Sequence, residues 1–366
     1  MSSRILVVLA SLTLFLAGLA VWVARQALDT DQWVDTSSSL IRDRAVQEAT
    51  AAYVSDELVS ATDVTARVRG ALPDNLSALA APLTGVIGDA AENATLRALQ
   101  SGAFQQTWEN AQRRTHEQLV AVVDGDAKQV ILDLRPMLGQ VASRIGLGPQ
   151  VVTRVESQQA LGQVKVLDED QVKTIRIAGR GLRALAWVFS LLAIALFAAA
   201  VWRAPTRRRE ALFQAGIGIA VAGLALLVLR RALGSDIVAT LADGGATTAA
   251  AQSTWNIATS LLREIAGSFV VLGTVVVAAA WFAGPSRWAR RARTFAAPTL
   301  RERPGLVYTL VGVVLLIVLL SGVLPASGRP LGLLIYVVLA FAGLAALRRQ
   351  LIAESDGPPA AAGPAT

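Results

Sequence analysis

Six runs of this chain are apolar for long enough to cross a bilayer, and this constrains its fold more than any other feature. They cover residues 5–24, 184–201, 211–229, 265–283, 305–324 and 331–347. A hydrocarbon layer of about 30 Å takes roughly 17–25 helical residues. Inside it every backbone N–H and C=O must be satisfied within the segment, so helices are expected. None of the six cores holds an Asp, Glu, Lys, Arg or His. Charged groups inside spans mark proton relays, ion paths and substrate sites. Their absence counts against proton-coupled transport and against acid–base or metal catalysis within the membrane. The milder polar residues, among them Ser11, Thr13, Ser190, Ser268 and Thr274, are expected to bond to their own helix backbone.

The first run is longer than the apolar core of a cleaved signal peptide, about 7–15 residues. Arg25 follows it directly. An uncleaved anchor is therefore expected.

Orientation follows from the short loops. Arg4, the segment around Arg203 and Arg207–Arg209, the segment 284–304 and the C-terminal end together carry thirteen arginines against four acids. These segments alternate consistently across six spans, so the positive-inside bias puts them and both termini in the cytoplasm. The segment 26–182 carries fifteen basic and twenty acidic residues and is expected outside. The formal charge of +7 is thus an orientation signal, reinforced by anionic headgroups. It is not a nucleic-acid footprint, which would need the charge on one folded surface. Trp22, Trp187, Trp202, Trp281 and Trp288 fall near span ends, where indole rings favour the headgroup level. Trp33, Trp108 and Trp255 suit packing outside the membrane. With no cysteine in the chain, disulfides, thiolate metal sites and thiol nucleophiles are excluded.

About 157 residues separate the first two spans, the size of one domain. Most of them read as helical. One helix opens at Asp29 or Thr30 and carries Val46, Thr50, Tyr53, Val54 and Leu58 at helical spacing. A shorter one begins near Asp63 and stops before Pro73. Pro82 opens another, with Leu83, Val86, Ile87, Ala90, Leu96 and Leu99 as its apolar side. Ser101 caps the next. Two β-branched segments, "QVILDL" (129–134) and "QVKVLD" (163–168), are expected to pair as a small ribbon. From Asp168 to Val201 one long helix should leave this domain and become the second span. In the loop 230–264, residues 234–245 suggest a short helix and turn. Residues 247–265 suggest a helical extension of span four. The Pro- and Ala-rich tail 353–366 reads as disordered.

The one histidine of the chain lies in "FQQTWENAQRRTHEQLV", residues 104–120. As a helix, this stretch turns Phe104, Trp108, Ala111, Thr115, Leu119 and Val122 to one face. His116 falls about 100° beyond Thr115, at the edge of that face. Arg113 and Glu117, four apart, suit an ion pair. A metal site would need a second ligand from elsewhere, and a serine triad would need distant partners. The stretch reads as a packing element, with Trp108, Phe104, His116, Arg113 and Trp33 as structural or interaction residues. An imidazole with an ordinary pKa of about 6.5 is also a pH-responsive group.

The pieces "LDTDQWVDTSSSLI", "FQQTWENAQRRTHEQLV", "VILDLRPML", "LRALAWV" and "GPSRWARRARTFAAPTLRERPGL" are spread over nearly the full length. In them the chain resembles a group of uncharacterised actinobacterial integral membrane proteins. The resemblance implies source class and topology. It implies no activity and no site residue.

The expected architecture is an all-α polytopic membrane protein of six transmembrane helices. A mainly helical exported domain, with a small β ribbon, lies between helices 1 and 2. Its parts are an anchor (1–25), an extracytoplasmic domain (26–182), a five-helix region (183–352) with the external loop 230–264, and a cytoplasmic tail (353–366). The expected role is non-enzymatic: interaction or sensing at the cell membrane, with the bilayer and an envelope protein or lipid as partners. A transporter or export accessory for an apolar molecule is the alternative. No catalytic residue, cofactor, metal or nucleic acid is expected.

Overall fold

The computed structural model describes residues 2–61, 64–125, 131–133, 163–165, 169–243 and 247–284. Its helices are α1 (Ser3–Leu28), α2 (Thr30–Arg42), α3 (Arg44–Ala61), α4 (Val64–Ala71), α5 (Ala80–Gln100), α6 (Gly102–Asp124), α7 (Glu169–Trp202), α8 (Arg208–Asp243), α9 (Thr248–Ala258) and α10 (Ser260–Phe282). A 3₁₀ turn, Asp74–Leu79, leads into α5. Strands β1 (Ile131–Asp133) and β2 (Gln163–Lys165) pair antiparallel, with Leu132 opposite Val164. The expected fifth and sixth spans, the residues between the strands, Asp168 and the tail lie outside the described residues.

The described fold is therefore helical, with four helices long and apolar enough to cross a membrane: Ser3–Leu28, Val172–Trp202, Arg208–Ala242 and Ser260–Phe282. Only 17–28% of the most apolar window of each is buried. The uncovered apolar surface is what lipid contact requires. The described residues form two compact units, one drawn from the ranges 2–19, 186–230 and 261–284, the other from the ranges 20–185 and 231–260.

In the first unit, small residues set the helix spacing. A Cβ on Gly273 of α10 would fall 2.5 Å from the Gly216 carbonyl oxygen of α8. One on Gly223 would fall 2.6 Å from the Ala266 carbonyl. Gly18 of α1 faces Leu226 and Phe269 in the same way. Close backbone approach gives these helices dispersion contact where lipid supplies no hydrophobic drive. Near the N-terminus of α1, Leu6 and Val7 pack with Ala200, and Ser3 Oγ donates to the Ala200 carbonyl at 3.0 Å. The span hydroxyls of Ser11, Thr13, Ser190, Ser268 and Thr274 all donate to the carbonyl four residues back, as expected.

In the second unit, α5 packs on α3, α6 on α2, and α9 on both α2 and α3. The helix expected from Asp29 onward is two helices. Asp29 caps α2 through its carboxylate, which accepts from the Gln32 amide. Asp43 then takes extended backbone, φ −70°, ψ 129°. Its side chain accepts from the Val46 amide and starts α3. Short carboxylate side chains compete with the helix for backbone donors, so an Asp inside a periodic pattern is a latent break. Ser101 caps α6 as expected, accepting from the Phe104 amide at 3.2 Å. Gly125 ends it in the left-handed region, φ 98°, where a side chain would be strained.

Three further expectations change. α5 starts at Ala80, and the first half of its expected apolar side faces outward: Leu83, Val86 and Ile87 are 40%, 64% and 43% exposed, while Leu99 at its far end is buried as expected. α3 is met instead by the small-residue side, where Thr84 is buried and Ser55 Oγ donates to the Gly88 carbonyl at 2.8 Å. α8 continues without interruption to Asp243, where a short separate helix was expected. The extension of span four is broken at Thr259, φ −103°, ψ 12°. The buried Thr259 hydroxyl takes the Trp255 carbonyl at 2.6 Å.

Glycine substitutions separate packing from propensity. Gly273→Ala should lower stability by about 1–3 kcal/mol through overpacking. Gly85→Ala, with nothing within 4 Å of the added carbon, should raise it by up to about 1 kcal/mol. Thermal unfolding of the detergent-purified variants reads both; equal midpoints would refute the close α8–α10 packing.

Candidate functional site

His116 marks the most elaborate polar junction among the described residues. α6 lies along α2, which brings the middle of α6 to the corner where α1 ends and α2 begins. His116 is 3% exposed. Its Nδ1 lies 3.0 Å from Thr30 Oγ1. Its ring stacks on Trp33, centroids 5.3 Å apart and planes 18° from parallel. Trp33 Nε1 donates in turn to Gln112 Oε1 at 2.9 Å, one turn before His116 on α6. Outside this layer, Arg113 pairs with Asp31 at 2.7 Å and Arg42 with Glu109 at 3.5 Å. Both pairs are solvent-exposed and add orientation more than stability.

The expected rotation of α6 is thereby corrected. Thr115, placed on the packed face, is exposed, and His116, placed at its edge, is buried. Trp108 and Phe104 are half-buried, stacked on each other with centroids 6.4 Å apart. Arg113 forms its ion pair across the interface with Asp31, where a pair with Glu117 on its own helix was expected. The reason is polar complementarity. Thr30, Trp33 and Asp31 on α2 match His116, Gln112 and Arg113 on α6, and hydrophobic periodicity gives no weight to such pairs. Thr30 and Gln112 were missed as site residues. Their signal was present only as polar spacing: Thr30 three residues before Trp33, Gln112 four before His116.

Burial holds the His116 pKa below its ordinary value, and the nearby Ala27 carbonyl and Asp29 charge pull the other way. Trp33 offers a protonated ring a cation–π attraction of about 0.5–1 kcal/mol. Removal of the charged ring from water is the largest influence on its pKa and works against the charge. Nε2 is buried and makes no hydrogen bond of ordinary geometry; the same is true of Gln26 Oε1, Trp22 Nε1, Ser38 Oγ and Trp108 Nε1. Gln26 Nε2, by contrast, donates to Thr36 Oγ1 at 3.1 Å.

The far end of α6 is held by arginines of α7. Arg176 Nε and Arg180 Nε donate to the Val122 and Val123 carbonyls, each at 3.2 Å. Arg180 also reaches the Asp124 carbonyl at 2.9 Å, and Arg183 the Asp124 carboxylate at 2.7 Å. A helix C-terminus exposes unpaired carbonyls and a partial negative charge. Cations at i, i+4 and i+7 of a neighbouring helix satisfy both. Gly179 lets α7 approach, since a Cβ there would fall 2.6 Å from Val123.

Chemically, the junction positions and packs. Among the described residues no three His, Cys, Asp or Glu side chains gather to hold a metal ion. No family model, curated protein or solved structure matches this chain.

The Trp108 indole has no hydrogen bond to lose. Trp108→Phe should therefore cost less than about 1.5 kcal/mol. Trp108→Ala, from a half-buried site, should cost about 1–3 kcal/mol. Chemical unfolding of both variants checks the order; a costlier Phe than Ala would refute the packing role.

Proposed function

We propose that this is a multi-pass cell-membrane protein of six spans with cytoplasmic termini. Residues 26–182 form an extracytoplasmic helical domain that acts non-enzymatically, by docking a protein of the envelope. The observation that carries this reading is an apolar stripe left exposed among the described residues. Leu76, Leu79, Leu83, Val86 and Ile87 run at helical spacing along the 3₁₀ turn and α5, each at least 40% exposed. Contiguous apolar surface of this kind outside a membrane span marks an interaction face. A helix stripe with anchors three and four residues apart suits an apolar groove on a partner. The charge of segment 26–182, twenty acids against fifteen bases, favours a protein partner over anionic headgroups, which would repel it. The positive-inside count supports the sidedness.

Topology and docking are tested separately. The chain has no cysteine, so single substitutions report cleanly. In intact cells a membrane-impermeant maleimide should label Asn93→Cys and leave Arg207→Cys unlabelled until the membrane is permeabilised. The reverse pattern would overturn the orientation. For docking, a photo-crosslinking residue at Val86 or Leu83 should give adducts of one defined mass in native membranes, and the same residue at Asn93 should not. Adducts with lipid alone, or only with a second copy of the chain, would overturn the protein-partner reading.

A further inference from the structure

We propose that His116 is a proton-operated latch: neutral, it holds α6 on the α1–α2 corner, and protonated, it loosens that contact. The inference goes beyond the docking role, because the latch belongs to the helical unit whatever that unit engages.

Three observations carry it. First, the latch bridges separate elements. The imidazole takes Thr30 Oγ1 at 3.0 Å and stacks on Trp33, both from α2, while standing on α6. Second, the ring is 3% exposed and its Nε2 is buried without an ordinary hydrogen bond. A protonated ring must donate from both nitrogens. The Thr30 hydroxyl can then only accept from Nδ1, and its own proton must go to another acceptor. Third, Asp29 and Asp31, the carboxylates beside Thr30 at the corner, are already committed. The charged groups on the packed elements are Arg4 and Arg25 on α1, Asp29 at the corner, Asp31, Asp35 and Arg42 on α2, Asp89, Glu92 and Arg97 on α5, and Glu109, Arg113, Arg114, Glu117 and Asp124 on α6. Asp31 is held by Arg113 at 2.7 Å. Asp29 caps α2 through the Gln32 amide and lies 4.0 Å from Arg25. The Ala27 carbonyl and, after it, the Asp29 charge pull on the imidazole, and burial outweighs both.

The sign follows from linkage. The packed state lowers the His116 pKa, so the opened state binds the proton more readily. The stabilisation is complete above the ordinary pKa of about 6.5. It is lost as pH falls from there towards the packed-state pKa. As the chain's one histidine, with no cysteine present, His116 is the side chain whose ordinary pKa puts its charge change between pH 5 and 8.

Hydrogen exchange read by mass spectrometry, on the full chain in phosphatidylcholine nanodiscs, tests this directly. After correction for intrinsic exchange rates, peptides covering 27–36 and 110–120 should lose protection between pH 7.5 and 5.5. The ceiling is about tenfold, set by an opened-state pKa of about 6.5. Peptides from the middle of α5 should not change. In His116→Asn, whose amide stands near the place of Nδ1, and in His116→Gln, the acid step should vanish. A step that persists in either folded variant overturns the latch. So does a wild-type chain with no step, or with an equal step in α5. Should neither variant fold, the single imidazole resonance of the wild type decides. Titration at or above the ordinary pKa overturns the proposal, and titration below it, coincident with the loss of protection, supports it. Maleimide accessibility of Asn93→Cys reads the topology independently and leaves this result unaffected.

Discussion

Every backbone donor and acceptor removed from water must find a partner, and both units of this chain are organised by that demand. In the apolar spans the partners are internal, so the segments are helices and even their hydroxyls fold back on the preceding turn. In the second unit the same demand concentrates at helix ends. Asp29, Asp43, Ser101 and Thr247 each accept from an amide in the first turn that follows. Arg176 and Arg180 donate to the last carbonyls of α6. Each such bond contributes about 0.5–1.5 kcal/mol net, and leaving a buried group unpaired costs more than making the bond gains. The caps decide where helices stop, and the stops decide which faces meet.

Where helices meet, small residues set the distance. α8 and α10 approach through Gly216, Gly223 and Gly273, and α5 meets α3 through Thr84 and Gly88. In a span this leaves Leu and Val facing lipid at no cost. On α5 the same geometry turns Leu83, Val86 and Ile87 towards water. Exposing them forgoes about 1.5–3 kcal/mol per fully buried side chain. That exposed stripe is the observation on which the proposed docking role rests.

The spans were legible in the sequence because hydropathy over twenty residues swamps local detail; all four expected before residue 285 coincide with apolar helices. Ser101 was legible because a capping serine before an amphipathic run has few other readings. The rotation of α6 was not. Periodicity counts apolar residues, and here the packed face carries His116 and Gln112, whose partners, Thr30 and Trp33, stand on α2. The break at Asp43 and the break at Thr259 escaped for the same reason: each is a polar side chain capturing a backbone group, a local event inside a pattern that averages it away. Arg113 seemed paired with Glu117 because spacing along one helix is visible in sequence and spacing across two is not.

The buried histidine also bears on whether this junction can do acid–base chemistry. A general base must reach its proton within about 3 Å, and the ring of His116 is closed off by Thr30, Trp33 and the end of α1. Substrate access would need α6 to part from the corner. In the latch proposed above, acid drives that parting by protonating the imidazole, and a protonated imidazole is no base. At neutral pH the ring is unprotonated and enclosed; in acid it is accessible and charged. The two requirements for a base are thus met under opposite conditions, whereas a switch needs only the contrast between them. The same argument explains the lack of a carboxylate bonded to the ring. A paired Asp would hold the imidazolium in place across the physiological range and erase the response. Thr30 orients the ring without stabilising its charge.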